Sequence, residues 1–224
     1  AAGAKDPIIM EEPMAAAIGT GLAVDSAMGC MIADIGGGTS DIAIIALGGI
    51  VTSTSLRHAG DKQNEAIVAY MRKQYDLLIG DKTAERIKEE IGCAYIDDDD
   101  PEGIQQMEAR GRDIITGLPK TITITSVDVL KALEEPIKII IDGIKSTLEK
   151  TPPEIAADIV RNGLVLSGGG GLIRGLDKLI EISTGLKVEI AGNALEAVAE
   201  GTGKSLVSIE KIQKYAGRGM KKKV

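Results

Sequence analysis

The run Asp34-Ile35-Gly36-Gly37-Gly38-Thr39-Ser40-Asp41 concentrates residues able to do chemistry more densely than any other stretch of the chain. Glycines at a tight turn let successive backbone N–H groups converge on an anion without side-chain obstruction, which suits phosphate oxygens. A carboxylate at the end of the preceding strand, Asp34, can hold a magnesium ion, usually through its waters. The Thr39 hydroxyl can meet a terminal phosphate. An ordinary β-hairpin closed by a glycine turn has the same local sequence, so the run by itself leaves both readings open.

A second glycine run, Ser167-Gly168-Gly169-Gly170-Gly171, follows the apolar Leu164-Val165-Leu166 and precedes a helical pattern. Backbone there can approach a flat ligand closely, or a helix N-terminus can meet an anion. It is not a Walker loop, because no Gly-Lys-Ser/Thr closes it. Gly203-Lys204-Ser205 lies inside a helical pattern without the preceding glycine spacing and reads as chance. Glu85 and Lys88, three apart, share a helix face and can hydrogen-bond a ribose edge, but a solvated salt-bridging face with Arg86, Glu89 and Glu90 fits the same spacing. Glu11 and Glu12 precede Pro13 at a helix start. One of these carboxylates can orient a water, and a first-turn glutamate is also simply favourable there.

Other polar features carry less. His58 is the only histidine, reads as a loop residue, and no Gly-x-Ser-x-Gly elbow accompanies it. Asp97 to Asp100 lacks the alternating ligands and glycine of an EF-hand and reads as a solvated loop. Lys221-Lys222-Lys223, with Arg218, can touch anionic lipid or form a frayed end.

The elements that must hold these groups are legible from periodicity and punctuation. Cys30 to Ser55 alternates short apolar runs with glycine turns and predicts three antiparallel strands. Asp61–Tyr75 and Asp81–Gly92 show helical spacing, with Ile67, Tyr70 and Met71 on one face of the first. Asp81 is the expected N-cap of the second and Gly92 its stop. Thr121 to Ile124 alternates as a strand of a small sheet, within an insertion starting near Lys62. Ser126 is the expected cap of a long helix carrying Val129, Leu130, Leu133, Ile137, Ile140, Ile141, Ile144 and Leu148 on its buried side. A helix to Asn162, a strand at Leu164–Leu166, a helix over Leu172–Thr184, a strand at Lys187–Ile190 and a helix over Leu195–Ile209 complete an α/β pattern. A helix of small residues, Met14–Gly21, comes first.

Composition bounds the function. With 224 residues, 44% hydrophobic and 26% charged, the chain can bury a sizeable core, and its longest apolar runs fall far short of a membrane span. A net charge of −7 argues against a general nucleic-acid surface. The absence of Phe and Trp removes stacking platforms for single strands. Cys30 and Cys93 have neither metal nor disulfide spacing, as expected in a reducing cytoplasm.

Several motifs occur together in one order: Glu11-Glu12-Pro13-Met14-Ala15-Ala16-Ala17-Ile18-Gly19, Asp34 to Asp41, Ala59-Gly60-Asp61 with Glu65-Ala66-Ile67, Thr83-Ala84-Glu85-Arg86-Ile87-Lys88, Gly117-Leu118-Pro119, Thr151-Pro152-Pro153-Glu154, and Ser167 to Gly171. In this order and spacing the chain resembles the bacterial actins of the MreB family over nearly its whole length. The resemblance implies an α/β, actin-like ATPase (RNase H-like) fold. Residues 1–61 and 150–224 would form the nucleotide-binding subdomain, and 62–149 a smaller inserted α+β subdomain. It implies ATP and Mg2+ as cofactors: Gly36, Gly37, Gly38 and Thr39 as a phosphate loop, Asp34 facing the metal, and Glu85, Arg86, Ile87 and Lys88 at the ribose and adenosine end. Gly168, Gly169, Gly170 and Gly171 would form the adenosine loop, and Glu12 and Thr39 would place the attacking water.

The implied partners are other filament subunits, the cell-wall elongation machinery and its membrane adaptor, at the inner face of the cell membrane; nucleic acid is not among them. The family's first domain, with its Asp-x-Gly-Thr phosphate loop and membrane-inserting segments, has no counterpart in this sequence, so the chain is expected to correspond to the second half. Half a site is expected to turn ATP over poorly, because phosphoryl transfer relies on charge stabilisation from all sides. Ser40-Asp41 stands where Thr-Glu is commoner. The alternatives are a non-catalytic module that binds or caps filaments, and a small-molecule kinase or chaperone of the same superfamily.

Overall fold

The computed structural model describes residues 9–97, 99 and 103–206. The expected meander is present as β1 (Cys30–Ile35), β2 (Ser40–Ala46) and β3 (Gly49–Leu56), paired antiparallel. The β2–β3 turn places Leu47 and Gly48 at φ 52° and 69°, the left-handed pair that matches the twist of a two-residue hairpin. On the other side of β1, β7 (Leu164–Ser167) runs parallel to it and β8 (Val188–Ile190) parallel to β7. The order β3-β2-β1-β7-β8 puts β1 in the middle of a five-stranded sheet.

The two-residue period of β1 decides what each face carries. Met31, Ala33 and Ile35 join a core shared with α4 (Ser126–Glu149), α5 (Pro153–Asn162) and α6 (Leu176–Thr184). Cys30 and Ile32 face the other way, toward Met14, Ala16 and Ala17 of α1 (Glu12–Gly19). Asp34 is in phase with Cys30 and Ile32, on the side of α1. Helix α7 (Ala197–Leu206) lies against α1 and completes that layer.

A second, three-stranded antiparallel sheet orders β4 (Leu77–Leu78), β5 (Gln106–Asp113) and β6 (Pro119–Thr125). It packs with α2 (Gly60–Tyr75) and α3 (Asp81–Ile91). Helix α4 joins the sheets. Near its start Asp128 accepts from Tyr75 Oη at 2.8 Å and Tyr70 Oη at 3.3 Å. Near its end Gly143 lies against Leu56 and Ile42, and Thr147 Oγ1 donates to Thr54 Oγ1 at 2.8 Å. Val129, Leu133, Ile137, Ile140, Ile141 and Ile144 are all buried on it. At about 1.5–3 kcal/mol each, their burial far exceeds the ~3 kcal/mol cost of Pro136 inside the helix.

Several boundaries differ from expectation. Thr125, not Ser126, caps α4: its side chain accepts from Asp128 N while Asp128 Oδ2 accepts from Thr125 N, a reciprocal box that the hydroxyl one residue on could not close. Asp81 is the first helical residue of α3, Gly80 occupies the cap, and no side chain caps it. Helix α1 runs over Glu12–Gly19, ahead of the expected Met14–Gly21, because Pro13 fits its first turn. Leu172–Thr184 is not one helix. Gly169–Leu172 forms a 3₁₀ turn, and α6 begins only after Gly175, held at φ 73°. Gly92 does end α3, at a negative φ of −59°. The expected continuation of α7 to Ile209, part of the Asp97–Asp100 loop, and the Arg218–Lys223 tail lie outside the described residues.

Candidate functional site

Strands β1 and β7 end side by side, and each hands its chain to a glycine run. Parallel register puts Asp34 beside Ser167, whose Oγ donates to Asp34 Oδ1 at 2.7 Å. Antiparallel register puts Asp41 directly opposite Asp34. Asp34 is buried, and burial holds its pKa above the ordinary carboxylate value. The Ser167 hydrogen bond works the other way, and the Asp41 charge adds to the rise. Glu12, exposed at the first position of α1, also has a raised pKa, from partial desolvation and then from Asp41 and Asp34. Three carboxylates thus repel one another across one opening.

The first glycine run closes on itself through Gly36 N to Thr39 O at 2.9 Å. Its carbonyls tie it to the start of α2: Gly60 N donates to Gly36 O at 3.0 Å and Asp61 N to Gly37 O at 2.8 Å. Gly37 and Gly38 are exposed, and a Cβ on either would meet nothing nearer than the Asp61 carboxylate, at 3.8 and 3.9 Å. This turn is open to a ligand. The second run packs onto the end of β1: a Cβ on Gly168 would stand 2.3 Å from Ile35 O, and one on Gly170 2.5 Å from Ile35 Cγ2. Gly171 N donates back to Gly168 O at 3.1 Å. The two glycine runs are therefore in contact through Ile35 and Gly36.

Helix α3 contributes unevenly. Lys88 turns inward and donates from Nζ to Gly60 O at 3.1 Å. Burial pushes its pKa down, while Glu85, Glu89 and Asp61 oppose the shift. Glu85 stays exposed close by. Arg86 is half-exposed, with its Nε 3.7 Å from Glu90 Oε1. Ile87 is fully buried, so its side chain seats α3 in the core instead of lining an opening. Of the expected site residues, the structure gathers Glu12, Asp34, Gly36–Thr39, Lys88 and Gly168–Gly171 around one end of the larger sheet. Glu85 and Arg86 are exposed on the same helix, and the Ile87 side chain is buried beneath it.

Among the described residues, no three carboxylate, imidazole or thiol groups are close enough to cage a metal directly. The donor set still fits a hydrated magnesium ion. Opposed aspartates destabilise a sheet pair, and a divalent cation bound nearby, met by Asp34 through water, would relieve that repulsion. Exposed glycine backbone, a partly buried ammonium and a hydroxyl at Thr39 suit the anionic groups of a polyphosphate.

The sequence model of the MreB/Mbl protein family matches residues 1–214. The chain belongs to the MreB/Mbl family. Cell shape-determining protein MreB of Escherichia coli strain K12 is 48% identical over 209 residues, covering 93% of this chain and 59% of that protein. The crystal structure of MreB5 of Spiroplasma citri bound to ADP superposes with a TM-score of 0.89 at 40% identity, over 95% of this chain and 63% of that one. The same Spiroplasma protein bound to AMPPNP gives the same TM-score. The fold is that of the actin-like ATPases. This chain spans about three fifths of the length of the MreB relatives it matches.

Ser167 and Asp41 fall within the two glycine-bearing runs, and Asp61 within a family motif, but the sequence assigned none of them a role. The strand register sets Ser167 and Asp41 on either side of Asp34, and the α2 approach brings Asp61 to the first glycine run.

Proposed function

We propose that this chain is the part of an actin-like cytoskeletal protein that holds one side of an ATP and magnesium site, and that the complete protein forms membrane-associated filaments guiding cell-wall synthesis and rod shape. The observation carrying this reading is the contact of two glycine runs at the ends of β1 and β7, with Asp34 between them. It is supported by MreB5, a relative whose structures hold ADP and AMPPNP. In this reading Gly36–Thr39 receive phosphate oxygens, and Asp34 meets magnesium through water. Glu85 and Lys88 bind the ribose, Gly168–Gly171 flank the adenosine, and Glu12 with Thr39 orients the attacking water. Arg86 and Ile87 act through the helix that carries them.

The metal supplies charge neutralisation at the phosphates. Residues 1–61 with 150–224 act as the nucleotide-binding subdomain and 62–149 as the insertion, α4 bridging both. Partners are further copies of the protein, the wall-elongation machinery and its membrane adaptor, at the inner face of the cell membrane. No helix among the described residues is long and apolar enough to cross a membrane.

Calorimetric titration with MgADP tests the reading. Binding that requires magnesium and is lost in Glu85→Ala supports it; absence of binding to the folded chain, or binding indifferent to Glu85 and magnesium, overturns it.

A further inference from the structure

Helices α1 and α7 run antiparallel at very short range. Ala197 meets Gly19 and Gly201 meets Ala15; a Cβ on either glycine would stand only 1.8 Å from Ala197 O and 1.7 Å from Ala15 O. One turn further, Ser205 Oγ reaches Met10 Sδ at 3.7 Å. The opposite end of α1 is clamped by side chains. Lys204 Nζ donates to Gly19 O at 2.6 Å, and Asn193 Nδ2 donates to the same oxygen at 3.1 Å. Glu200 Oε2 steadies both donors, at 3.0 and 2.9 Å. A cation and an amide on a C-terminal carbonyl also suit the negative end of the helix dipole.

The same short segment reaches the second glycine run. Ala194 O accepts from Gly168 N at 2.9 Å, and Leu195 Cδ2 lies 3.2 Å from where a Gly169 Cβ would stand. Asn193 to Leu195 therefore touches both α1 and the glycine loop. Helix α1 is only eight residues long, about 10 Å from Glu12 to Gly19, so displacement at one end moves the other as a rod.

We propose that Lys204 and Asn193 are positioning residues: by fixing Gly19 O they hold α1, and with it the Glu12 carboxylate, in register with Asp34, Asp41 and the Gly168 loop. The proposal rests on the reading of Glu12 as the residue that orients the attacking water.

The test compares Lys204→Met combined with Asn193→Ala against Lys204→Arg, following backbone amide resonances in the whole chain. The double variant is expected to shift Glu12, Asp34 and Asp41 as well as Gly168 and the other residues that touch the clamp or its neighbours. Lys204→Arg, which keeps a cation within reach of Gly19 O, is expected to restore the parent positions. Shifts confined to Gly19, Glu200 and their immediate neighbours overturn the proposal. If the parent hydrolyses MgATP, turnover in the double variant falls on the order of tenfold at unchanged KM, since small misplacements cost rate more than binding. A change in KM alone contradicts the proposal. Absence of turnover in the parent is what one side of a phosphoryl-transfer site predicts, and the resonance comparison then decides the clamp by itself.

Discussion

Replacing Gly168 by alanine tests the packing of the second glycine run against the end of β1. Gly168 sits at φ 78° and ψ 157°, a region essentially closed to other residues at a cost of about 1–3 kcal/mol. Its Cβ would also stand 2.3 Å from Ile35 O, 2.5 Å from Ile35 C and 2.9 Å from Asp34 Oδ1, all parts of the central strand that cannot move freely. Overpacking of this kind adds about 1–3 kcal/mol. The sum, about 2–6 kcal/mol, lowers the thermal midpoint of a chain this size by roughly 5–20 °C. Gly169→Ala is the internal control. Its φ is not positive, and its Cβ meets only the end of the exposed Leu195 side chain at 3.2 Å, so stability should change by less than about 0.5 kcal/mol. Scanning calorimetry of both variants decides. Equal midpoints, or a larger loss at Gly169, would refute the packing argument.

Three further outcomes follow from the structure. Gln63 is fully buried on α2 with neither side-chain amide atom partnered among the described residues, so Gln63→Leu should stabilise the chain by about 1–3 kcal/mol in urea denaturation; a destabilised variant would mean the amide has a partner. Tyr75 is pushed up to about 12, by desolvation first and then by its hydrogen bond to Asp128 and that residue's charge. A raised value means the folded state keeps the proton, so this contribution to stability is present below the ordinary value near 10 and is lost as pH rises through the folded one. Tyrosinate absorbance should show Asp128→Asn bringing that titration down, and an unmoved titration would refute the coupling. Asp34 likewise has a raised value, so its stabilising contribution is full only at low pH and its charge weakens the unliganded fold at neutral pH. Asp34→Asn should raise the urea midpoint without ligand and abolish the extra stability that MgADP confers; retention of the ligand effect contradicts its assignment to magnesium.

How far the molecule could be read from its residues depended on how local each feature is. The β1–β3 meander was legible because glycine turns separate short apolar runs, and α4 because six buried apolar residues keep helical phase. Cap positions failed where the deciding hydrogen bond belonged to a neighbour: the Thr125–Asp128 box left no capping role for Ser126. The break before Leu176 was hidden because Leu172 and Ile173 fit a helical pattern, while the loop is held by contacts with Ile35 and Ala194, distant in sequence. Among the candidate site residues, Asp34 and the glycines were legible from type and spacing. The inward turn of Lys88 and outward turn of Arg86 were not, since both sit on the same short helix and only the approach of Gly60 separates them. Gly203-Lys204-Ser205 is no phosphate loop, yet Lys204 grips α1, a contact spanning most of the chain.

The most direct test of the central claim is a map of backbone amide resonances with and without MgADP. With nucleotide held at this site, Gly36–Thr39, Glu85–Lys88 and Gly168–Gly171 shift together and saturably, with Asp34 moving only when magnesium is present. Shifts at the open groove of about 570 Å³ beside Val68, Arg72 and Ile114, with those three segments unmoved, would contradict it.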